Sequence, residues 1–222
     1  MIKKEIYPKT KRISNIGGIF ELTEKLDGSN LVIFKKDDEL HIAQRNNIFN
    51  FNELEENKDK LYKGLYQWIK DNHEELSHII NNSCVCGEWL GMGQLKYTID
   101  EFDKRFYMFA KANIDEEFNL YNLIYDHDLF IYPFENQELP KCIGVVPIVS
   151  QLKVSPSKEQ LDSIYEKYRT KVDRDVEGFV INYNNNISKY VRMKNRKLVE
   201  YDANDHKGMG GNKWQQKRCL KS

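Results

Sequence analysis

Glu24-Lys25-Leu26-Asp27-Gly28-Ser29-Asn30 stands between two stretches patterned as β-strands. Upstream, Gly18-Ile19-Phe20-Glu21-Leu22-Thr23 alternates apolar and polar residues; downstream, Leu31-Val32-Ile33-Phe34 is an unbroken, partly β-branched apolar run. Asp-Gly between two such runs predicts a tight turn, because glycine tolerates the positive φ that turns require. Lys25 is then expected at a strand end, where a side chain can be aimed into a cleft. A lone lysine of this kind is compatible with a solvated hairpin. The chemical alternative is a nucleophile, provided that desolvation or neighbouring cations favour the neutral amine.

The composition sets no bias towards nucleic acid, because 34 basic residues are balanced by 34 acidic ones. With 40% hydrophobic and 31% charged residues in 222, the chain has the make-up of a soluble globular protein able to bury a core. Charge is local instead: Lys3, Lys4, Lys9, Lys11 and Arg12 at one end, Lys207, Lys213, Lys217, Arg218 and Lys221 at the other. Each cluster is read as either a solvated end or a phosphate contact. No apolar segment follows Met1-Ile2-Lys3-Lys4-Glu5 and no run is long enough to span a bilayer, so a cytoplasmic location without membrane contact is expected. Cys84, Cys86, Cys142 and Cys219 lack C-x-x-C spacing and clustered histidines, which points to reduced thiols and not to zinc.

Along the chain, Leu40 to Arg45 alternates again, predicting a three-stranded meander with Lys25 and Arg45 near strand ends. From Glu53 the apolar spacing becomes helical, through Leu54, Leu61, Leu65, Trp68 and Ile69, and it resumes from Glu74 to Ile80. Cys84-Val85-Cys86 alternates through a core, and Val85 to Gly93 reads as a strand entering a glycine-rich loop, with Glu88 bracketed by apolar residues. Arg105 to Ala110 reads as a strand, with further short strands at Leu129 to Tyr132 and Ile143 to Val146. Asp126-His127-Asp128 is a turn triplet, either a metal site or a solvated loop. Ser157 is placed to cap a helix over Lys158 to Arg169. Near the end, Glu177-Gly178-Phe179-Val180-Ile181 and Ser188 to Asn195 form two strands, the second carrying Tyr190, Arg192 and Lys194 on one face. Two cations so placed are stable if they are solvated or face an anion.

In order, these elements resemble the covalent nucleotidyltransferase superfamily of ATP-dependent ligases and capping enzymes, most closely its RNA ligase branch. The resemblance rests on Lys25-Leu26-Asp27-Gly28-Ser29-Asn30, Arg45, Gly87-Glu88-Trp89-Leu90-Gly91, Phe106-Tyr107-Met108-Phe109, Glu177-Gly178-Phe179-Val180-Ile181 and Val191-Arg192-Met193-Lys194-Asn195. It implies an α+β fold in which antiparallel sheets form a nucleotide cleft flanked by helices, the ligase-type, ATP-grasp-like nucleotidyltransferase arrangement. It also implies ATP and Mg²⁺ or Mn²⁺ as cofactors and RNA as partner, with 5′-phosphate and 3′-hydroxyl ends joined through a lysyl-AMP. Catalysis would fall to Lys25, Asp27, Arg192 and Lys194, with Asp27 orienting basic side chains or supporting the turn. ATP would be held by Glu24 (adenine edge), Lys25, Asn30, Arg45 (ribose or phosphate), Glu88 (ribose), Phe109 (adenine stacking), Glu177, Arg192 and Lys194, and the metal by Glu177 as well.

Three departures qualify the resemblance. Arg192 stands where relatives carry the first of two lysines, and it keeps the charge. Ala110 stands where the aromatic motif usually ends in Asp. Only 27 residues follow Asn195, which predicts a catalytic domain over 1–202 and a short basic tail over 203–222 with no oligonucleotide-binding domain. That length and Asn30, where capping enzymes have Arg, disfavour a DNA nick ligase and a GTP-dependent capping guanylyltransferase. A nucleotide- or RNA-binding module without turnover is the alternative from a different class.

Overall fold

The computed structural model describes residues 20–201, together with the backbone of Lys11 and Arg12. The tail over 203–222 and the N-terminal cations up to Lys9 lie outside the described residues. In chain order the strands are β1 (Lys11–Arg12), β2 (Phe20–Lys25), β3 (Ser29–Lys36), β4 (Glu39–Gln44), β5 (Asn47–Asn50), β6 (Ser83–Trp89) and β7 (Phe106–Ile114). They continue with β8 (Leu120–Ile124), β9 (Ile143–Val145), β10 (Ile148–Leu152), β11 (Gly178–Tyr183), β12 (Asn186–Val191), β13 (Met193–Lys194) and β14 (Lys197–Leu198). The helices are α1 (Leu65–Asp71), α2 (His73–Ser77) and α3 (Lys158–Val172).

The expected α+β fold is present. One sheet runs β5-β4-β3-β6-β7-β8 with β9 on β7; the other runs β1-β12-β11-β2-β10. Among the described residues the named strands pair antiparallel, except that β1 lies parallel to β12 and β9 to β7. The first sheet comes from one continuous stretch, 29–145. The second is collected from 11–12, 20–25, 148–152 and 178–191.

Burial explains the sequence pattern. Leu31 and Ile33 pack on one face of β3 with Leu65, Ile69 and Leu76 of the helices, while Val32 and Phe34 pack on the other with Cys84, Cys86 and Ala110. A strand covered on both faces needs an unbroken apolar run, as Leu31 to Phe34 provides. In the second sheet the face towards α3 is apolar: Phe20, Leu22, Phe179 and Tyr190 meet Leu161 and Tyr165 of that helix. Each such large side chain, fully withdrawn from water, contributes about 1.5–3 kcal/mol. Ser157 and Gln160 close a reciprocal capping box on α3, as the sequence predicted for its start.

Four expectations are corrected. Asp27-Gly28 is not a hairpin turn, because β2 and β3 belong to different sheets and Leu26 to Gly28 is the crossover between them. Gly28 is required for space instead: a Cβ there would sit 2.4 Å from the Trp89 carbonyl oxygen. The meander is therefore β3-β4-β5, and Arg45 occupies the exposed turn between β4 and β5. The helix expected from Glu53 begins only at Leu65, after two 3-10 turns and Gly64 at φ +81°, although Leu54 and Leu61 are buried as their spacing predicted. Leu129 to Tyr132 is turn and not strand, and the β7 edge is paired instead by Leu120–Ile124.

Candidate active site

The two sheets face one another across an open cleft lined from both sides. Strand alternation sorts β2: Phe20 and Leu22 face α3, and Glu21, Thr23 and Lys25 face the cleft. Lys25 ends β2 in register with Gly178, which brings Glu177 beside it, and Lys25 Nζ donates to Glu177 Oε2 at 2.6 Å. From the facing sheet come Asn30 and Glu88, directly paired across β3 and β6, and Phe109 of β7. Lys25, Asn30, Glu88, Phe109 and Glu177, far apart in sequence, thus converge on one cleft.

Burial pulls the Lys25 ammonium towards neutrality, but the carboxylates of Glu177, Glu88 and Asp27 outweigh it and hold the lysine above its ordinary range. Burial raises Glu177 against the opposing charge of Lys25, and it raises Glu88 to about 7, with Lys25 opposing and Glu177 adding to the shift. Glu88 Oε1 accepts from the Gly28 N–H at 3.1 Å, so the crossover and the carboxylate fix one another.

A stability prediction follows from Glu88. A carboxyl raised from the usual carboxylate range binds a proton on folding between its unfolded and folded values. Its cost to the fold is therefore absent in acid and complete above about pH 7. Glu88→Gln should melt a few degrees higher than wild type at about pH 8 and equal it at about pH 4. Equal melting temperatures in thermal scans at both pH values would refute the assignment.

Asp27 supports the crossover. Its Oδ2 accepts from the backbone N–H groups of Gln94 (2.5 Å) and Leu95 (2.7 Å), and its own N–H donates to Tyr97 Oη at 2.7 Å. The glycine-rich loop is thereby pinned to the Lys25–Gly28 segment, so closely that a Cβ on Gly93 would lie 2.1 Å from the Asp27 carbonyl oxygen. The same loop reaches the β13–β14 hairpin, where Arg196 Nε donates to the Gln94 carbonyl at 3.0 Å. Lys194 is exposed on that hairpin, beside Asn195, whose Oδ1 meets Gln94 Nε2 at 3.4 Å.

Three expected nucleotide contacts are placed differently. Glu24 points away from the cleft by alternation: fully buried, it pairs with Arg174 through Nη1–Oε1 (2.6 Å) and Nη2–Oε2 (2.7 Å) and accepts from Tyr168 Oη. Only its backbone remains available to a nucleotide. Arg45 is exposed at its turn and linked to Asn30 through Tyr62, whose hydroxyl donates to the Asn30 carbonyl at 3.1 Å and accepts from the Arg45 N–H at 3.4 Å. Arg192 lies after a break in β12, where the N–H groups of Arg192 and Met193 both bond the Glu177 carbonyl. Its guanidinium binds Asp162 of α3, the Tyr190 hydroxyl and, at 3.0 Å, the Val199 carbonyl. Arg192 and Lys194 therefore do not form the continuous cationic face expected of one strand.

The cation that faces the cleft from β12 is Lys189, opposite Val180, and its charge lowers Glu177. Period-two alternation from Tyr190 would have assigned Lys189 to this face. Ala110 is buried with Cys86 and Val32, so a carboxylate there would enter an apolar cluster. Among the described residues no group of three His, Cys, Asp or Glu is arranged to hold a metal.

The sequence matches the RNA ligase family over residues 18–196, most of the chain. The chain belongs to the RNA ligase family. No curated protein matches it in sequence. Among solved structures, an RNA ligase of Naegleria gruberi with PPi is 21% identical at a TM-score of 0.55, covering 86% of this chain and 59% of that one. A mutant of that RNA ligase in its apo form gives 21% identity and a TM-score of 0.54, covering 86% and 55% of the two chains. Another mutant with ATP and Mn gives 19% identity and a TM-score of 0.55, covering 86% and 59%. These likenesses establish the fold, and the chain spans a little over half the length of those proteins. The family match includes Lys25, Glu88, Phe109 and Glu177, the side chains gathered around the cleft.

Proposed function

We propose that this chain is an ATP-dependent RNA ligase that works through a lysyl-AMP intermediate. The observation that carries the reading is Lys25 at 2.6 Å from Glu177, in a cleft that also presents Glu88, Asn30 and Phe109. Lys25 Nζ, after losing its proton, attacks the α-phosphorus of ATP; a P–N bond forms and pyrophosphate leaves. An RNA 5′-phosphate oxygen then attacks the adduct, taking AMP and returning the lysine. Finally a 3′-hydroxyl attacks the 5′-phosphate and expels AMP, making a phosphodiester. Each step is phosphoryl transfer, in which positioning and charge stabilisation dominate.

In this reading Phe109 stacks on the adenine, Glu88 accepts from the ribose, and Asn30 lines the same wall. Asp27 is a positioning residue that holds the glycine-rich loop against the nucleophile segment. Lys189 and Lys194 supply positive charge from the cleft face and the rim, and Arg192 anchors the hairpin that carries Lys194. Glu177 suits a divalent ion borne largely by phosphate oxygens and water, as expected of Mg²⁺ where a protein offers one or two carboxylates. When bound beside Glu177, Mg²⁺ or Mn²⁺ would supply positive charge that favours a neutral Lys25 amine and a phosphate leaving group.

The test is incubation of unadenylylated protein with α-labelled ATP or, separately, GTP, plus Mg²⁺ or Mn²⁺, followed by a denaturing gel. Label from ATP alone, transferable to 5′-phosphorylated RNA and ending in joined strands, is the expected result. Label from GTP would favour a capping reaction, joining confined to nicked DNA would favour a DNA ligase, and no label at all would leave a binding module.

A further inference from the structure

The inner part of the cleft holds two polar atoms with no protein partner. Asn182 and His127 both line it, and Asn182 Oδ1 and His127 Nε2 are buried without a hydrogen bond. Burying such an atom unpaired is costly, so native structures keep few of them. The third among the described residues, Trp89 Nε1, belongs to the core under α1 and not to the cleft.

Their position follows from register. Gly178 pairs with Lys25 and Asn182 with Glu21, so four residues of β11 separate the nucleophile's end from Asn182. At about 3.3 Å per residue that is roughly 13 Å, on the order of the span from an α-phosphorus to the far edge of a purine. Val180 lies between them on the cleft face, and Phe109 lines the opposite sheet. His127, at the start of a 3-10 turn capped by Asp126, lies within electrostatic reach of Glu21, the register partner of Asn182.

We propose that Asn182 Oδ1 and His127 Nε2 are the readers of the nucleotide base, accepting hydrogen bonds from the two N–H groups of the adenine 6-amino group. This rests on the nucleotide-binding reading of the cleft. Guanine presents an oxygen at that position, which would face two acceptors with no hydrogen between them. Burial holds the His127 imidazole below its ordinary range, against the opposing charges of Glu21, Asp126 and Asp128. The neutral ring with hydrogen on Nδ1 leaves Nε2 as an acceptor.

The test compares ATP with purine riboside 5′-triphosphate, which has hydrogen in place of the 6-amino group. Calorimetric binding to unadenylylated wild-type protein should favour ATP by about tenfold or more, since a polar site penalises a ligand that leaves its groups unpaired. Asn182→Leu and His127→Phe should each move that ratio towards one, with folding checked by circular dichroism. Equal affinity of wild type for the two triphosphates, or a ratio unchanged in both folded variants, would overturn the proposal. The wild-type comparison needs no variant to fold. ATP-selective binding without a lysyl adduct would sink the ligase reading and keep the base readers. An adduct formed equally from both triphosphates would do the reverse.

Discussion

Lys25→Arg should abolish transfer of label from α-labelled ATP, with a loss of about 10⁴-fold or more, while the protein stays folded. Arginine keeps a cation beside Glu177, so the carboxylates of Glu177, Glu88 and Asp27 retain a positive neighbour. What it removes is an amine able to lose a proton, since a guanidinium stays protonated in proteins. This separates nucleophilic chemistry from electrostatic support, which Lys25→Ala would remove together. The same carboxylates predict a pH profile: with Lys25 held above its ordinary range, the reactive amine is scarce at neutral pH. Wild-type adenylylation should therefore rise steadily from about pH 6 to about pH 9, in single-turnover kinetics. Residual labelling of Lys25→Arg at the wild-type rate would place the nucleophile elsewhere.

The largest effect on stability is expected at Arg174→Ala. The Glu24 side chain is fully buried and both of its oxygens are taken up by Arg174, with Tyr168 as a further donor. Removing the arginine leaves a carboxylate deep in the protein with one neutral donor, and such losses run to about 3–5 kcal/mol. Arg174 also bonds Glu101 at 2.7 Å and lies over the rings of Tyr97 and Phe102, so the loop pinned by Asp27 should loosen as well. Urea denaturation should show the shift in midpoint, and adding Glu24→Gln should return part of the loss because no buried charge is then unpaired. A change below about 1 kcal/mol would mean that Glu24 finds water or another partner.

Chemistry-bearing residues were the most legible part of the sequence. Lys25, Glu88, Phe109 and Glu177 are legible through the resemblance of their motifs to a known family, and the structure gathers them in one cleft. Strand assignments held where burial imposes a pattern, as at Leu31 to Phe34 and Cys84 to Cys86. Contacts between distant segments were hidden. Nothing local in Asp27-Gly28 distinguishes a hairpin from a crossover, because the reason for glycine is the Trp89 carbonyl, some 60 residues away in sequence. Glu24 was expected, by resemblance, to read the adenine edge, although alternation alone turns its side chain to the other face. Asn182 could have been found by stepping two residues beyond Val180 on the same strand. His127 could not, since its place in the cleft depends on how the segment after β8 folds back.

The discontinuous second sheet sets the order in which the protein becomes competent during synthesis. The first sheet is complete once residue 145 has left the ribosome, and its contacts can form from contiguous chain. Strand β2 emerges near the start yet lacks its β11 neighbour, and Lys25 lacks Glu177, until 178–191 arrive. Pairings of such sequence separation are slow, because the loop between them must close first. A nascent chain therefore holds Lys25 early and its Glu177 partner late, so the cleft around Lys25 is completed only when its β11 wall closes.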